Sequence, residues 1–165
     1  NQTVKKMQMV VHGILKELRP ETLDKLGLAD SLRELRSEWL GHHPGTRFEL
    51  IIANDMNGVD VIDKTISIAV YRLVQESLNN ICKYSRAGRV VVHLMREKSS
   101  PVLADTLLLS VEDDGVGFDT DQKSVGFGLL GMRERVISAG GEFLLQSSPG
   151  MGTRITARLP FESKV

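Results

Sequence analysis

Cysteine is almost missing from this chain: Cys82 stands alone among 165 residues. One thiol cannot close an intrachain disulfide, so a disulfide scaffold is excluded and a reducing, cytoplasmic environment is the simpler expectation. Net charge is missing too, because 21 Lys and Arg balance 21 Asp and Glu. Without an overall basic field to hold a phosphate backbone, no nucleic-acid partner is expected. No apolar run reaches the roughly 18 residues that would span a bilayer. The N-terminus also lacks the regions of a signal peptide. The chain begins at Asn1 rather than Met and reads as a fragment of a longer protein, so the missing membrane segment says nothing about that protein. What is present is 41% hydrophobic and 25% charged residues. That balance supports a real core in one domain, or one domain with a small appendage.

Periodicity divides the chain. Val4, Met7, Val11, Ile14, Leu15 and Leu18 follow helical spacing. That stripe has no partner in its own segment and must pack elsewhere. Arg19-Pro20 breaks it. Leu32, Leu35 and Trp39 mark a second helix, with Asp30 or Ser31 as its expected cap. Gly41 to Gly45 reads as a loop. Phe48, Leu50 and Ile52 predict a strand. Asp63 to Tyr84 is the longest helical stretch, with Ile66, Ala69, Val70, Leu73, Val74, Ile81 and Cys82 expected toward the core. Strands are predicted at Val90 to Arg96, Thr106 to Asp113, Glu142 to Ser147 and Thr153 to Leu159. Residues 115–128, rich in glycine, are expected to form a mobile loop. A helix follows from Leu129 to Ala139, stopped by Gly140-Gly141. Consecutive strands imply antiparallel pairs. The order favours an α+β fold: a two-layer sandwich with a mixed sheet of about five strands and helices on one face, plus the N-terminal helical segment.

Two segments carry candidate chemistry. In the strand ending Leu107-Leu108-Leu109-Ser110-Val111-Glu112-Asp113, period-2 alternation puts Leu107, Leu109, Val111 and Asp113 on one face. An apolar face ending in a carboxylate suits an acceptor at the rim of an apolar slot, as for an exocyclic amine such as that of adenine. Gly115 and Gly117 follow at once and let backbone approach a ligand. In the long helix, Glu76, Asn80 and Lys83 stand at i, i+4 and i+7 and are expected to line one face. Carboxylate, amide oxygen and ammonium together can serve Mg²⁺ and phosphate. Read alone, the first segment fits an ordinary turn after a strand better than a ligand site, and the second fits a solvated helix face better.

Other motifs say less. Gly126-Phe127-Gly128-Leu129-Leu130-Gly131 matches G-x-G-x-x-G, but the stretch before it is polar and no acid closes the next strand. A dinucleotide-binding reading therefore fails. A glycine-rich entry to a helix still suits a phosphate. Gly150-Met151-Gly152-Thr153 reads alone as a hairpin turn. His42 and His43 have no cysteine near them in sequence, so no metal site is expected there. His93 is expected to face solvent, and His12 has no acidic neighbour. Ser77 and Ser85 have no base at a suitable spacing, which leaves serine hydrolase chemistry unsupported.

Taken in order, the segments resemble the ATP-binding domain of sensor histidine kinases, within the group that includes gyrase B, the heat-shock ATPase chaperones and MutL. Glu76, Asn80, Lys83 and Tyr84 match the N-box. Asp113-Asp114-Gly115-Val116-Gly117-Phe118 resembles the first glycine box, Gly126 through Arg135 the second, and Gly150 through Thr153 the third. Leu18-Arg19-Pro20 through Leu26-Gly27-Leu28, with Gly-Met-Arg-Glu-Arg at 131–135, points to the NarL-type branch.

The resemblance implies a Bergerat-type fold and a set of roles. ATP and Mg²⁺ would be the ligands. Asn80 would ligate Mg²⁺, and Glu76 would act near the γ-phosphate as base or water-orienting group. Lys83 would contact phosphate, and Tyr84, standing where this branch commonly has His, would stack on adenine. Asp113 would accept from the adenine amino group, with Thr153 supporting through water. Gly115, Gly117, Gly126, Gly128, Leu129 and Gly131 would belong to the lid over the phosphates. Asp114 replaces the usual Asn and would add negative charge near the nucleotide. The phosphoacceptor His-Asp/Glu motif is absent. Residues 1–20 would then be the end of a dimerisation hairpin and linker, and 21–165 the catalytic domain. Implied partners are the upstream phosphoacceptor-histidine domain, a response regulator and a second copy in a full-length homodimer. The domain would be cytoplasmic, within an inner-membrane parent. A chaperone-like ATPase and a non-catalytic nucleotide-sensing module are the alternatives.

Overall fold

The computed structural model describes residues 2–4, 6–7, 20–53, 56, 62–100, 102–122 and 126–161. Of the expected first helix, residues 2–4 and 6–7 are helical, with Val4 and Met7 exposed. The remainder of that helix, with His12, lies outside the described residues.

Helix α1 runs Glu21–His42, earlier than a cap at Asp30 or Ser31 would allow. Gly27 (φ 77°, ψ 175°) breaks its backbone and lets the chain bend. The expected capping residues therefore lie just past the kink: Ser31 Oγ donates to Gly27 O at 2.6 Å, and Asp30 pairs with Arg33. Leu23, Leu28 and Leu32 are buried. Strand β1, Arg47–Ile52, buries Phe48 and half-buries Leu50 and Ile52 as alternation predicts.

Helix α2, Lys64–Asn80, begins where Asp63 accepts from Thr65 N at 2.7 Å, satisfying one free helix-end donor. Val70, Leu73, Val74 and Leu78 form its buried stripe. It continues as a π-helical segment, Ile81–Ser85, ended by Arg86 in the left-handed region. The wider i→i+5 turn changes which side chains face inward. Ile81 and Ser85 are buried, whereas Cys82, expected in the core, is exposed.

Strands β2 (Arg89–Glu97) and β3 (Thr106–Asp113) form the expected antiparallel pair. Helix α3, Phe127–Ser138, starts two residues before its predicted Leu129, so Gly128 belongs to its first turn rather than to a loop. Gly140 (φ 80°) ends it, and Gly141 N donates back to Val136 O. Strands β4 (Glu142–Ser147) and β5 (Thr153–Pro160) complete a five-stranded sheet, ordered β1-β2-β3-β5-β4. Only β1 with β2 is parallel; the other neighbours are antiparallel.

This is the mixed α+β sandwich read from the sequence. Val90, Val92, Leu94, Leu107, Leu109, Val111, Ile155, Ala157 and Leu159 are buried on one sheet face. Helices α2 and α3 pack over that face, and α1 packs against α2 and β1. Each fully buried leucine contributes roughly 1.5–3 kcal/mol. The opposite face carries cross-strand ion pairs such as Arg154–Glu112 and Arg158–Glu97. These are exposed, so the apolar face supplies most of the stability.

Candidate nucleotide-binding site

A cavity of about 390 Å³ opens where the π-helical end of α2 faces the ends of β3 and β5. Its apolar wall comes from Ile81, Val111, Leu145 and Ile155. The sheet register sets its polar end, because Asp113, last in β3, lies directly opposite Thr153, first in β5. Asp113 Oδ1 accepts from Ser85 Oγ at 2.5 Å and from Gly115 N at 2.8 Å. Among the described residues, Oδ2 has no hydrogen-bond partner, so it can still accept from a group in the cavity that Asp113 lines. Thr153 Oγ1 sits 3.0 Å from Ser147 Oγ. Ser147 also donates to Gly152 O and accepts from Phe118 N.

The glycines are small for a reason that can be measured. A Cβ on Gly115 would fall 1.9 Å from Ser85 Oγ, and one on Gly117 2.1 Å from Ser148 O. Gly152 would place a Cβ 2.0 Å from Asp113 O. The loop after β3, the turn before β5 and the end of α2 thus meet backbone to backbone. Gly150 N donates to Val116 O, and Val116 N to Ser85 O.

Asn80, Tyr84, Asp113, Gly117, Gly126, Leu129 and Thr153, all singled out in the sequence, line this cavity. Tyr84 stands at its rim, 65% exposed. Glu76 is one wall further out. It lines a smaller adjoining cleft of about 110 Å³ with Arg72, Gln75, Gly128, Gly131 and Arg135. Burial first, and then the Arg135 charge, holds Arg72 below the usual arginine value. Gly128 stands between Glu76 and Asn80: a Cβ there would lie 2.6 Å from Glu76 Oε1 and 3.6 Å from Asn80 Oδ1. The Asn80 amide oxygen, which lines the cavity, is a ligand type that suits Mg²⁺, which takes few protein oxygens and completes its octahedron with water and phosphate. No group of three or more His, Cys, Asp or Glu residues that could hold a metal exists among the described residues.

Several expectations change. Lys83 is exposed and lines neither space, whereas Tyr84 and Ser85, in the same π-helical segment, line the cavity with Asn80. Asp114 points away from the cavity: its Oδ1 accepts from Gly88 N at 2.9 Å and Arg89 N at 2.8 Å, bracing the start of β2. His43, without a cysteine nearby in sequence, has Nε2 3.1 Å from Cys82 Sγ. His93 is half-buried on the outward-facing alternation of β2. Ser85 and Ser147 were missed as site residues. Both act by hydrogen bonds to residues distant in the chain, which no local spacing signals.

Residues 65–163 match the family model described as histidine kinase-, DNA gyrase B-, and HSP90-like ATPase. Sensor histidine kinase LiaS of Bacillus subtilis is 34% identical over 97% of this chain and 44% of its own length. The histidine-protein kinase/phosphatase UhpB of Salmonella typhimurium is 33% identical, over 91% of this chain and 28% of its own. The chain thus spans less than half the length of these relatives. Among solved structures, the histidine kinase AdeS of Acinetobacter baumannii superposes with TM-score 0.63 at 13% identity, covering 98% of this chain and 81% of that one. The histidine kinase domain of Erythrobacter litoralis EL346 gives 0.60 at 23%, covering 79% and 59%. At those identities the structures speak for the fold. The family match decides the identity: the chain belongs to the histidine kinase-, DNA gyrase B- and HSP90-like ATPase family, and the curated relatives it resembles are sensor histidine kinases.

Proposed function

We propose that this domain binds ATP with Mg²⁺ and positions its γ-phosphate for transfer to a histidine outside this chain. The observation that carries the reading is the Asp113 carboxylate, with Oδ2 unengaged among the described residues, at the rim of an apolar cavity that also holds the Asn80 amide. Asp113 Oδ2 accepts from the adenine amino group, with Thr153 supporting through water, and Tyr84 stacks at the rim. Asn80 holds Mg²⁺, which neutralises phosphate charge when bound. Gly115, Gly117, Gly126, Gly128, Leu129 and Gly131 allow backbone to close over the phosphates. Lys83 reaches a phosphate only by swinging in from solvent. Glu76, in the adjoining cleft, takes the proton of the attacking group or orients it. Positioning and charge stabilisation do the rest.

In this reading residues 1–20 end a dimerisation hairpin and 21–165 form the catalytic domain. The acceptor histidine lies in the upstream domain, a homodimer brings domain and acceptor together, and a response regulator receives the phosphoryl group. The domain works on the cytoplasmic side of an inner-membrane parent. No helix among the described residues is long and apolar enough to cross a membrane. The chain by itself binds ATP without autophosphorylating.

Calorimetric titration with ATP, with and without Mg²⁺, tests this on wild type and Asn80→Ala. The wild type should bind ATP more tightly with Mg²⁺, and the variant should lose most of that dependence. An unchanged dependence would remove Asn80 as the metal ligand. Steady ATP hydrolysis by the isolated chain would mark a chaperone-like ATPase instead.

A further inference from the structure

We propose that Ser85 is the positioning residue that makes this cavity select adenine over guanine nucleotides, acting through the Asp113 carboxylate. The inference rests on the nucleotide reading above and adds the source of its base specificity. Ser85 ends the π-helical segment and is 8% exposed. Its carbonyl accepts from Val116 N at 2.8 Å, and its hydroxyl lies 2.5 Å from Asp113 Oδ1. A carboxylate only accepts, so the hydroxyl donates. Gly115 N donates to the same oxygen at 2.8 Å. With two donors on Oδ1, the carboxylate cannot turn without giving up a hydrogen bond. Oδ2 is thereby held toward the cavity.

That rigidity discriminates between purines. Adenine carries an amino group at C6 and can donate to Oδ2. Guanine carries a carbonyl there and would set oxygen against oxygen. A site built to accept a hydrogen bond rejects a ligand that cannot donate one, provided the acceptor is unable to move aside. Without the Ser85 hydroxyl, Asp113 keeps one donor and gains freedom to rotate. Adenine then loses part of its contact and guanine part of its repulsion.

The test is calorimetric titration of wild type, Ser85→Ala and Ser85→Thr with Mg-ADP and Mg-GDP. Wild type should prefer ADP, Ser85→Ala should lower that preference about tenfold, and Ser85→Thr should retain it. In an Asp113→Asn background, Ser85→Ala should add little, because the two residues act as one unit. Should Ser85→Ala fail to fold, Ser85→Cys keeps the size with a weaker donor and should lower the preference in the same direction. An unchanged ADP-to-GDP ratio, equal weakening of both nucleotides, or a full Ser85 effect without the Asp113 carboxylate would overturn the proposal and leave the nucleotide reading standing. A wild-type protein that binds no adenine nucleotide would overturn the nucleotide reading itself, and this inference with it.

Discussion

The Cβ position of Gly128 lies 2.6 Å from Oε1 of Glu76. Helix α3 therefore starts against the carboxylate on α2, and that start separates the main cavity from the cleft that holds Glu76. Gly128→Ala would push the far end of a flexible side chain, not backbone. The stability cost should be small, because alanine is better than glycine in a helix by roughly 0.8–1.0 kcal/mol. The catalytic cost should be large, since Glu76 must move. We expect a melting temperature near wild type and phosphotransfer in the full-length kinase reduced at least about tenfold. Undiminished phosphotransfer would mean that the position of Glu76 is not critical.

Asp114 behaves as a brace rather than a ligand-facing charge. Asp114→Ala removes the acceptor for two backbone N–H groups at the start of β2. Urea unfolding should show a loss of about 1–2 kcal/mol. Asp114→Asn should recover much of it, because the amide oxygen can accept in the same place. ATP affinity should change less than about twofold in both variants. A tenfold change with intact stability would return Asp114 to the site.

Acid should weaken the hairpin end of the sheet. The Ser99 N–H, and then the Arg96 guanidinium, hold Asp105 below the usual carboxylate range. A carboxyl lowered on folding stabilises the native state above its unfolded value, near pH 4. That contribution is lost as pH falls through the lower folded value. Asp105→Asn should therefore be less stable than wild type at pH 7, with the gap closing below about pH 4. Urea melts at both pH values measure it. A gap that stays constant on acidification would rule out the charge as its source.

Much of this molecule is local in origin. Alternation located β3 to the residue and assigned Leu107, Leu109 and Val111 to the core, because successive strand side chains must take opposite faces. The i, i+4 spacing made Glu76 and Asn80 neighbours, and Gly128 now touches the positions of both. The order of the glycine boxes, legible without coordinates, pointed to the family.

What the tertiary structure decided lies where distant segments meet. The π turn after Asn80 exposed Cys82 and Lys83 and turned Ser85 inward, although nothing in the local pattern marks a change from i→i+4 to i→i+5. Asp113 and Asp114 are adjacent in sequence and chemically alike. One lines the cavity, and the other braces β2. Strand alternation says only that they point apart. Which of them lines the cavity depends on the helices, which cover a single face of the sheet. The sequence by itself determined the strands, most of the core and the ordered motifs, because those follow from backbone periodicity and chain order. Only the tertiary structure decided which donors reach Asp113 and which residues share a wall with Glu76, because those contacts join chain segments that no periodicity connects.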